Sequence, residues 1–289
     1  MDPLATLVHW PVRRLAAAAV AHGDVIATRG DVDEVFGLAS VSKPISAMAV
    51  LVAHEEGTAD LDGHLTTLEG QNVSADGTPH VTPQPPDPDD RATIADLLAH
   101  AGGFSPDLPI RLTTPRTRRI YSTATYDLLA DEIAATASMP FEEYLTAAVT
   151  APLGMGSTVL DGSPGSDIRS TVADLVRFMR AWREPVLIHS STIERATSPH
   201  LPHLVGVLPG FGRQDPNPWG LGPEIRGHKQ PHWSSDANDP STFGHFGRSG
   251  TLWWMDPAAD RGFVALTDEG FGPWAAASWP IVATDVLAA

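Results

Sequence analysis

The sequence has strand-like patterns near both ends and helical patterns between them, and this arrangement restricts the folds open to it. Residues Leu15 to Ala21 and 25–29 are two apolar, β-prone runs that meet at the turn-forming His22-Gly23-Asp24. Short β-rich runs return at 243–247, 251–255 and 262–267. This order predicts an α+β fold, in which an antiparallel sheet built from both ends is flanked by helices and an inserted, mostly helical lobe.

The helical patterns begin shortly after the first strands. Ile45, Met48, Ala49 and Val52 recur at helical spacing and the pattern ends at Gly57, which predicts a buried helix. Further helices are predicted near 94–98, 125–137, 140–150 and 171–183. An alanine-rich stretch at 273–289 predicts a terminal helix, and a proline at 280 suggests that the helix proper starts there.

Two of these helices have a local start signal. Thr93 is followed three residues later by Asp96, and Thr171 is followed in the same way by Asp174. Such pairs satisfy the free N–H groups of a first helical turn. By contrast, residues 72–90 are rich in proline and aspartate without any period, and we expect a surface loop there.

The length of 289 residues permits one large domain or two lobes. We expect a single domain over residues 1–289. Within it we expect an α/β lobe of about 1–37 plus 185–289, and a helical lobe of about 38–184.

Composition excludes several kinds of chemistry. The chain contains no cysteine, so disulfide frameworks, thiolate-bound metals and cysteine nucleophiles are all ruled out. Its formal net charge of -16 repels nucleic acids and anionic lipid. We therefore expect no nucleic-acid partner and no membrane partner. We also expect that the protein needs no cofactor.

The N-terminal region allows two interpretations. Arg13, Arg14 and the apolar run after them have the features of a short secretory signal. The turn at Gly23-Asp24 favours a β-hairpin instead. No apolar run approaches the roughly 20 residues that cross a bilayer. Together with the lack of cysteine, this predicts a cytoplasmic location.

The basic residues are divided very unequally, into seventeen arginines and only two lysines, Lys43 and Lys229. A buried amine can lose its proton, whereas a guanidinium cannot, so a lysine in such a chain is a candidate for proton transfer. Ser40 precedes Lys43 by three residues at the start of the predicted buried helix, where the amine can reach the hydroxyl. The simpler alternative is a lysine that extends along a helix start to solvent. Lys229 has no evident role.

The segments around Ser40-Val-Ser-Lys43 resemble the serine β-lactamase and penicillin-binding-protein superfamily, in particular its class C-related, esterase and D-aminopeptidase branches. Further similar segments follow in family order. They are Leu97-Leu-Ala-His100-Ala-Gly-Gly103, Pro152-Leu-Gly-Met155 and Ser170-Thr-Val-Ala-Asp174. The resemblance covers roughly residues 15 to 268 and implies a β-lactamase-like fold.

The resemblance also implies roles for individual residues. Ser40 would be the nucleophile, and Lys43 and Tyr121 would share the proton transfers, the phenol losing its proton with help from the neighbouring cation. The backbone N–H groups of Ser40 and Arg248 would form the oxyanion hole. His245 would orient the substrate or the deacylating water. Which of Lys43 and Tyr121 is the base stays open.

Two positions depart from the family pattern. Tyr121-Ser-Thr123 replaces the family's Tyr-x-Asn, so that a short hydroxyl stands where an amide binds substrate. His245-Phe246-Gly247 replaces Lys-Thr-Gly, so that the cation that meets a β-lactam carboxylate is missing. Thr123, Phe246 and Gly247 are expected to bind substrate, with the glycine letting it lie close to the strand. A packing tyrosine and a structural histidine remain the simpler alternatives.

The remaining charged clusters carry weaker expectations. Arg111, Arg116, Arg118 and Arg119 precede Tyr121 and could attract an anionic substrate, although a solvated loop that pairs with surplus carboxylates is the simpler interpretation. The paired histidines at 200 and 203 and at 228 and 232 lack a zinc-binding pattern, so no metal is expected.

The sequence therefore predicts a serine hydrolase that acts through an acyl-enzyme on an ester, amide or lactam carbonyl of a small molecule. An esterase is favoured. The alternatives are a D-aminopeptidase or DD-peptidase, a β-lactamase, and a non-catalytic ligand-binding member of the same fold. We expect a monomer or a small homo-oligomer.

Overall fold

The computed structural model describes residues 2–67 and 91–289. The predicted surface loop at 72–90 lies outside the described residues.

The main sheet has six antiparallel strands in the order β2-β1-β11-β10-β9-β8. Its strands are β1 (Leu15–Ala21), β2 (Asp24–Arg29), β8 (Glu224–Ile225), β9 (Phe243–Gly247), β10 (Thr251–Asp256) and β11 (Arg261–Thr267). The predicted strands near both ends are therefore confirmed to within one residue, and they meet in one sheet. The first hairpin turns at His22 and Gly23, both with positive φ, as its two-residue loop requires.

Strand β1 joins the two ends of the chain, because its residues pair with β11 from Leu15 opposite Thr267 to Ala21 opposite Arg261. Its alanines alternate between the two faces of the sheet. Ala16 and Ala18 belong to one apolar core, and Ala17 and Ala19 to the other. These small side chains let helices pack closely on both faces of the sheet.

Seven α-helices lie around this sheet within the described residues. They are α1 (Ser42–Glu55), α2 (Ile94–Leu98), α3 (Ala124–Ala137), α4 (Phe141–Leu145), α5 (Val172–Arg183), α6 (Ser190–Ala196) and α7 (Pro273–Leu287). The helix predicted at 140–150 is α4 followed by a π-helical turn, Thr146–Thr150. The start signals are confirmed, since Thr93 and Thr171 accept the N–H groups of Asp96 and Asp174 at 3.1 Å. None of the helices in the described ranges is long and apolar enough to cross a membrane.

Helix α1 is the central helix of the fold. Every residue from Ser42 to Ala53 is buried, which agrees with its apolar character on all sides. Helix α5 packs against β1 and β11 on one face of the sheet. Helix α7 covers the other face, together with a short 3-10 helix, Ala5–His9.

The predicted start of the last helix is wrong. Helix α7 begins at Pro273 and contains Pro280 in its interior, although proline removes one helical hydrogen bond. The buried Trp279, Val282 and Val286 pack onto the sheet on both sides of the proline, and this packing outweighs the lost bond.

Two small sheets complete the fold. One contains β3 (Phe36–Gly37), β4 (Val159–Leu160) and β5 (Ile168–Ser170) in the order β3-β5-β4, and the other pairs β6 (Gly206–Leu208) with β7 (Gly212–Gln214). These short strands and α6 have no clear sequence signal. The division into two lobes and the extent of a single domain stay predictions.

Candidate active site

Ser40 lies in a single 3-10 turn, Ala39–Val41, directly before α1. Ala39 has a positive φ of 48°, an unfavourable conformation for alanine that the surrounding strands hold in place. The Leu38 carbonyl accepts a hydrogen bond from Thr251 Oγ1 at 2.6 Å. A Cβ atom on Gly247 would collide with that carbonyl. The glycine therefore lets β9 lie against the turn that carries Ser40.

Lys43 projects from the first turn of α1 and is 0% exposed. Its Nζ donates to the carbonyl of Gly165 at 2.8 Å, to Thr123 Oγ1 at 3.1 Å and to Ser40 Oγ at 3.4 Å. No carboxylate forms an ion pair with this amine among the residues that the structure describes. The helix-start lysine therefore points inward to the serine, and the alternative of a lysine that reaches solvent is wrong.

The surroundings of Lys43 change its acidity. Burial lowers the pKa of the amine from 10.5 to about 7, against the opposing charge of Asp127 and with a further lowering by Arg248. A substantial fraction of the amine is then unprotonated at neutral pH. Such an amine can accept a proton from the Ser40 hydroxyl, which it already contacts.

Tyr121 stands in the segment before α3 and is fixed by His100. The His100 carbonyl accepts the N–H of Ile120 at 3.0 Å, and His100 Nδ1 accepts the N–H of Ser122 at 3.2 Å. The Tyr121 ring lies 4.6 Å from the His100 ring, between centroids, and its centroid lies 4.8 Å from Lys43 Nζ. The tyrosine is therefore held against both the lysine and a buried histidine.

The resemblance implies that Tyr121 loses its proton with help from the neighbouring cation, and burial opposes this loss. Burial raises the pKa of its phenol, and a side-chain hydrogen bond with Ser40 only partly opposes the rise. Because the Lys43 amine has a pKa of about 7, it carries little charge at the pH where a phenol titrates. The directions of these two pKa shifts favour Lys43 over Tyr121 as the base, and the choice between them stays a prediction.

Thr123 is the residue directly before α3. Its hydroxyl accepts a hydrogen bond from the Lys43 amine. The residue also lines the cavity at Ser40, where substrate would bind. The carbonyl of Gly165 completes the surroundings of the amine. Gly165 was not indicated by the sequence, because only the folded chain brings residues 43 and 165 together.

His245 lies on β9 and is 3% exposed. Its Nδ1 lies 2.7 Å from the Phe246 carbonyl, which can only accept, so Nδ1 carries the proton and Nε2 is a free acceptor. Nε2 has no partner among the described residues. Burial, with a further contribution from the charge of Lys43, lowers the pKa of His245 to about 3. The histidine is therefore neutral, unlike the lysine that it replaces.

Phe246 and Gly247 follow on the same strand. The Phe246 ring packs against Phe271 at 4.8 Å and Trp279 at 5.7 Å, between centroids, on the α7 side of the sheet. Gly247 contacts the backbone before Ser40, as described above. The structure therefore gives both residues a packing role, and their predicted contact with substrate stays a prediction.

A cavity of about 290 Å³ brings most of the predicted residues together. Its lining includes Ser40, Tyr121, Thr123, His245, Phe246 and Arg248. The sequence did not indicate its remaining walls, Asp107, Ser166, Leu208, Pro209 and Trp219. Arg248 is exposed at the cavity edge, next to the strand that supports the Ser40 turn. The oxyanion hole predicted at Ser40 and Arg248 would face this cavity.

A fully buried ionic cluster lies behind one wall of the cavity. Lys229 Nζ donates to Glu224 Oε1 at 2.6 Å and to the carbonyls of Pro218 and Ile225 at 2.8 Å. The Lys229 amine also lies 5.2 Å from the centroid of the Trp219 ring.

Two more groups complete this cluster around Glu224. His232 Nε2 lies 2.9 Å from the same carboxylate oxygen, and Trp233 Nε1 donates to the other oxygen at 2.7 Å. The charges of Glu224 and Lys229 are thus paired with each other inside the cluster. The second lysine therefore has a structural role, for which the sequence gave no signal. The described part of the chain contains no group of three or more histidine, aspartate or glutamate side chains that could hold a metal ion.

Comparison with known proteins agrees with this architecture. The Beta-lactamase family model matches residues 12–288. A beta-lactamase from Mycobacterium bovis is 42% identical in sequence, with a TM-score of 0.88 over 99% of this chain and 98% of that one. Among proteins with curated descriptions, none is significantly similar.

More distant structures share the fold. EstCE1, a hydrolase with promiscuous acyltransferase activity, is 17% identical with a TM-score of 0.77, over 98% of this chain and 95% of that one. Simvastatin synthase (LovD) from Aspergillus terreus is 16% identical with a TM-score of 0.79, over 100% and 98% of the two chains. The family match and the first structure decide the assignment: the chain belongs to the beta-lactamase family, whose fold is that of serine hydrolases.

Proposed function

We propose that this protein is a serine hydrolase that cleaves small-molecule esters through an acyl-enzyme on Ser40. The observation that carries the proposal is the contact between Ser40 Oγ and Lys43 Nζ, 3.4 Å apart. The amine is buried, has no carboxylate partner among the described residues, and has a pKa lowered to about 7. These are the properties that activate a serine by an adjacent base.

The reaction would proceed in two halves. Ser40 Oγ bonds to the carbonyl carbon while its proton passes to Lys43 Nζ, and the carbonyl electron pair becomes an oxyanion facing the N–H groups of Ser40 and Arg248. When the intermediate collapses, the bond to the leaving oxygen breaks. The alcohol takes the proton from Lys43 through the Tyr121 hydroxyl.

In the second half, water attacks the acyl group on Ser40. Its proton is taken by Lys43, while His245 Nε2, an acceptor at the cavity without a partner among the described residues, orients the water. Collapse of this second intermediate returns the proton to Ser40 Oγ and releases the carboxylic acid. Apart from the ester and one water molecule, both halves balance with groups of this chain.

His245 favours an ester over a β-lactam. A neutral imidazole with a pKa lowered to about 3 cannot supply the positive charge that a β-lactam carboxylate meets at this position in the family. The EstCE1 likeness is consistent with ester chemistry but concerns the fold alone. The 42% identity to a beta-lactamase makes β-lactam hydrolysis the second candidate.

A covalent label tests the nucleophile directly. The protein is incubated with a fluorophosphonate and its intact mass is measured. We expect one adduct on the wild-type protein and on Ser166→Ala, a second serine in the same cavity, and none on Ser40→Ala. Absence of an adduct, or an adduct that survives Ser40→Ala, would reject the proposal and favour a non-catalytic binding protein.

Substrate class is tested by comparing kcat/KM for 4-nitrophenyl butyrate, a chromogenic cephalosporin and a D-alanine anilide. The proposal predicts the order ester, then cephalosporin, then amide. Faster turnover of the cephalosporin than of the ester would assign the protein to β-lactam hydrolysis instead. The cytoplasmic location and the monomeric or small homo-oligomeric state stay predictions.

A further inference from the structure

A second, larger cavity lies beside the Ser40 cavity. Its volume is about 610 Å³, well within the range of about 300–1,000 Å³ that is typical of small-molecule sites. Tyr121 and Pro209 line both cavities, so the two are neighbours across the catalytic tyrosine. A substrate with its carbonyl at Ser40 could therefore extend into the larger space.

The walls of the larger cavity are mainly apolar. Ile120 and Val205 line it, and so do Leu112 and Val207, which are 55% and 60% exposed. Large apolar side chains grouped around a concavity and left open to solvent are typical of a binding site for an apolar group.

The charged residues of this cavity are all of one sign. Arg118, Arg119 and Arg213 line it, whereas none of its lining residues is an aspartate or glutamate. The whole chain has 35 acidic residues against 19 basic ones, so a cavity with three arginines and no acid departs strongly from the rest of the protein. These three arginines make the larger cavity locally positive in an anionic molecule, whereas the Ser40 cavity is lined by both Arg248 and Asp107.

Arg119 has a fixed place in this arrangement. It is 3% exposed, and its guanidinium donates to the carbonyls of Ala99, His200 and Asn217. The expectation of a solvated loop is therefore wrong for this residue. Arg119 therefore contributes positive charge beside the cavity, but its N–H groups already donate to backbone carbonyls and not to a ligand.

Arg118 and Arg213 are the arginines that can contact a ligand, because both are exposed. The Arg118 side chain has no ion pair or hydrogen bond among the described residues. Arg213 donates to Asp215 at 3.1 Å, and both of these side chains are largely exposed. An ion pair of this kind contributes about 0–1 kcal/mol and is easily exchanged for a ligand.

We propose that the substrate carries an apolar arm that ends in an anionic group, and that this cavity binds the arm. The arm packs between Leu112 and Val207, and its anion pairs with Arg118 and Arg213. The inference rests on the proposed ester hydrolysis at Ser40 and names its substrate class. The anion is a carboxylate or another oxyanion, and the arm belongs to either the acyl or the alcohol part of the ester.

Matched pairs of esters test this preference. On the acyl side, the 4-nitrophenyl monoester of adipic acid is compared with that of adipamic acid, whose terminal carboxamide is neutral. On the alcohol side, 6-acetoxyhexanoate is compared with 6-acetoxyhexanamide. We expect kcat/KM to favour the anion by about tenfold in one series, and the preference to shrink with added salt.

Variants that remove positive charge test whether Arg118 and Arg213 cause the preference for the anionic ester. In the double variant Arg118→Gln/Arg213→Gln, the anion-to-neutral ratio should fall to near one. The matched control is Arg180→Gln with Arg195→Gln, which removes two exposed, ion-paired arginines from helices outside the cavity and should keep the wild-type ratio. A ratio near one in the wild-type protein for both series would overturn the inference, and so would equal losses in the two double variants.

A binding measurement separates this inference from the proposed function. Titration calorimetry on Ser40→Ala compares the non-hydrolysed anionic and neutral esters without any turnover. Tighter binding of the anion supports the cavity assignment even if the wild-type protein hydrolyses neither ester. Equal binding rejects the assignment, whereas hydrolysis of neutral esters alone would leave the Ser40 mechanism standing.

Discussion

Lys43 and Lys229 show how the same buried side chain serves two different purposes. Both amines are fully buried, and both lie over an aromatic ring. Lys229 contacts the carboxylate of Glu224 at 2.6 Å, whereas Lys43 contacts two hydroxyls and a carbonyl. Burial lowers the pKa of each amine. At Lys229 the contacting Glu224 carboxylate opposes this lowering, whereas no described carboxylate contacts Lys43. The ionic partner gives Lys229 a structural role, and the lack of a contacting carboxylate among the described residues supports the proposed role of Lys43 as a base.

The largest expected effect is on catalysis at Lys43. Lys43→Met should lower kcat/KM for a 4-nitrophenyl ester by about 10³-fold or more, because the serine loses its base. Lys43→Arg should be equally inactive, since a guanidinium does not give up its proton. Both variants are assayed beside a thermal melt to confirm folding. Activity of Lys43→Arg within tenfold of wild type would show that the amine is not the base.

The next effect is on stability at Lys229. Lys229→Met should lower the free energy of unfolding by about 3–5 kcal/mol, because the Glu224 carboxylate is then buried without its cation. Urea unfolding measures this loss.

Lys43→Met serves as the matched control, because it removes a buried amine that has no contacting carboxylate among the described residues. It should cost far less stability. The double variant Glu224→Gln/Lys229→Met should recover part of the loss. Equal losses at the two lysines would contradict the distinction between a paired and an unpaired amine.

Activity is expected to fall about fivefold from pH 7 to pH 6, and to approach a tenfold loss per pH unit only at lower pH. Lys43 must be unprotonated to act, and its pKa is about 7, so kcat/KM should rise with pH below 7 and level off above it. Rates between pH 6 and 8 under subsaturating substrate provide the measurement. An activity that is flat across this range would exclude Lys43 as the titrating base.

The smallest effect concerns Thr123. Thr123→Val removes an oxygen that accepts from the Lys43 ammonium at 3.1 Å, which destabilises the charged form of the amine. The pKa of Lys43 should fall by up to about one unit, so the acid side of the profile moves to lower pH. A shift in the opposite direction, or none, would mean that the hydroxyl does not stabilise the charge.

Local signals in the sequence were reliable for individual elements. The hydroxyls of Thr93 and Thr171 act within one helical turn, so their caps could be predicted without knowledge of the rest of the chain. Pro280 is the counterexample, because its tolerance depends on how Trp279 and Val282 pack against a distant sheet. Tertiary packing outweighed the local rule there.

The candidate site was predictable only where family motifs marked it. Ser40, Tyr121 and His245 converge on one cavity as those motifs imply. The carbonyl of Gly165 at Lys43 and the wall formed by Trp219 come from segments without such a motif. The scarcity of lysine indicated an amine that can lose its proton, but the size of the pKa shift follows from burial and from the lack of a contacting carboxylate among the described residues.

The pairing of β1 with β11 has a consequence for the order in which the protein folds during its synthesis. Ala18 pairs with Val264, and the turn that holds Ser40 is fixed by Thr251. A ribosome releases the Ser40 segment about two hundred residues before the strands that support it, because synthesis runs from the N-terminus. The nascent chain is therefore expected to lack a formed Ser40 turn until strands β9 to β11 have left the ribosome.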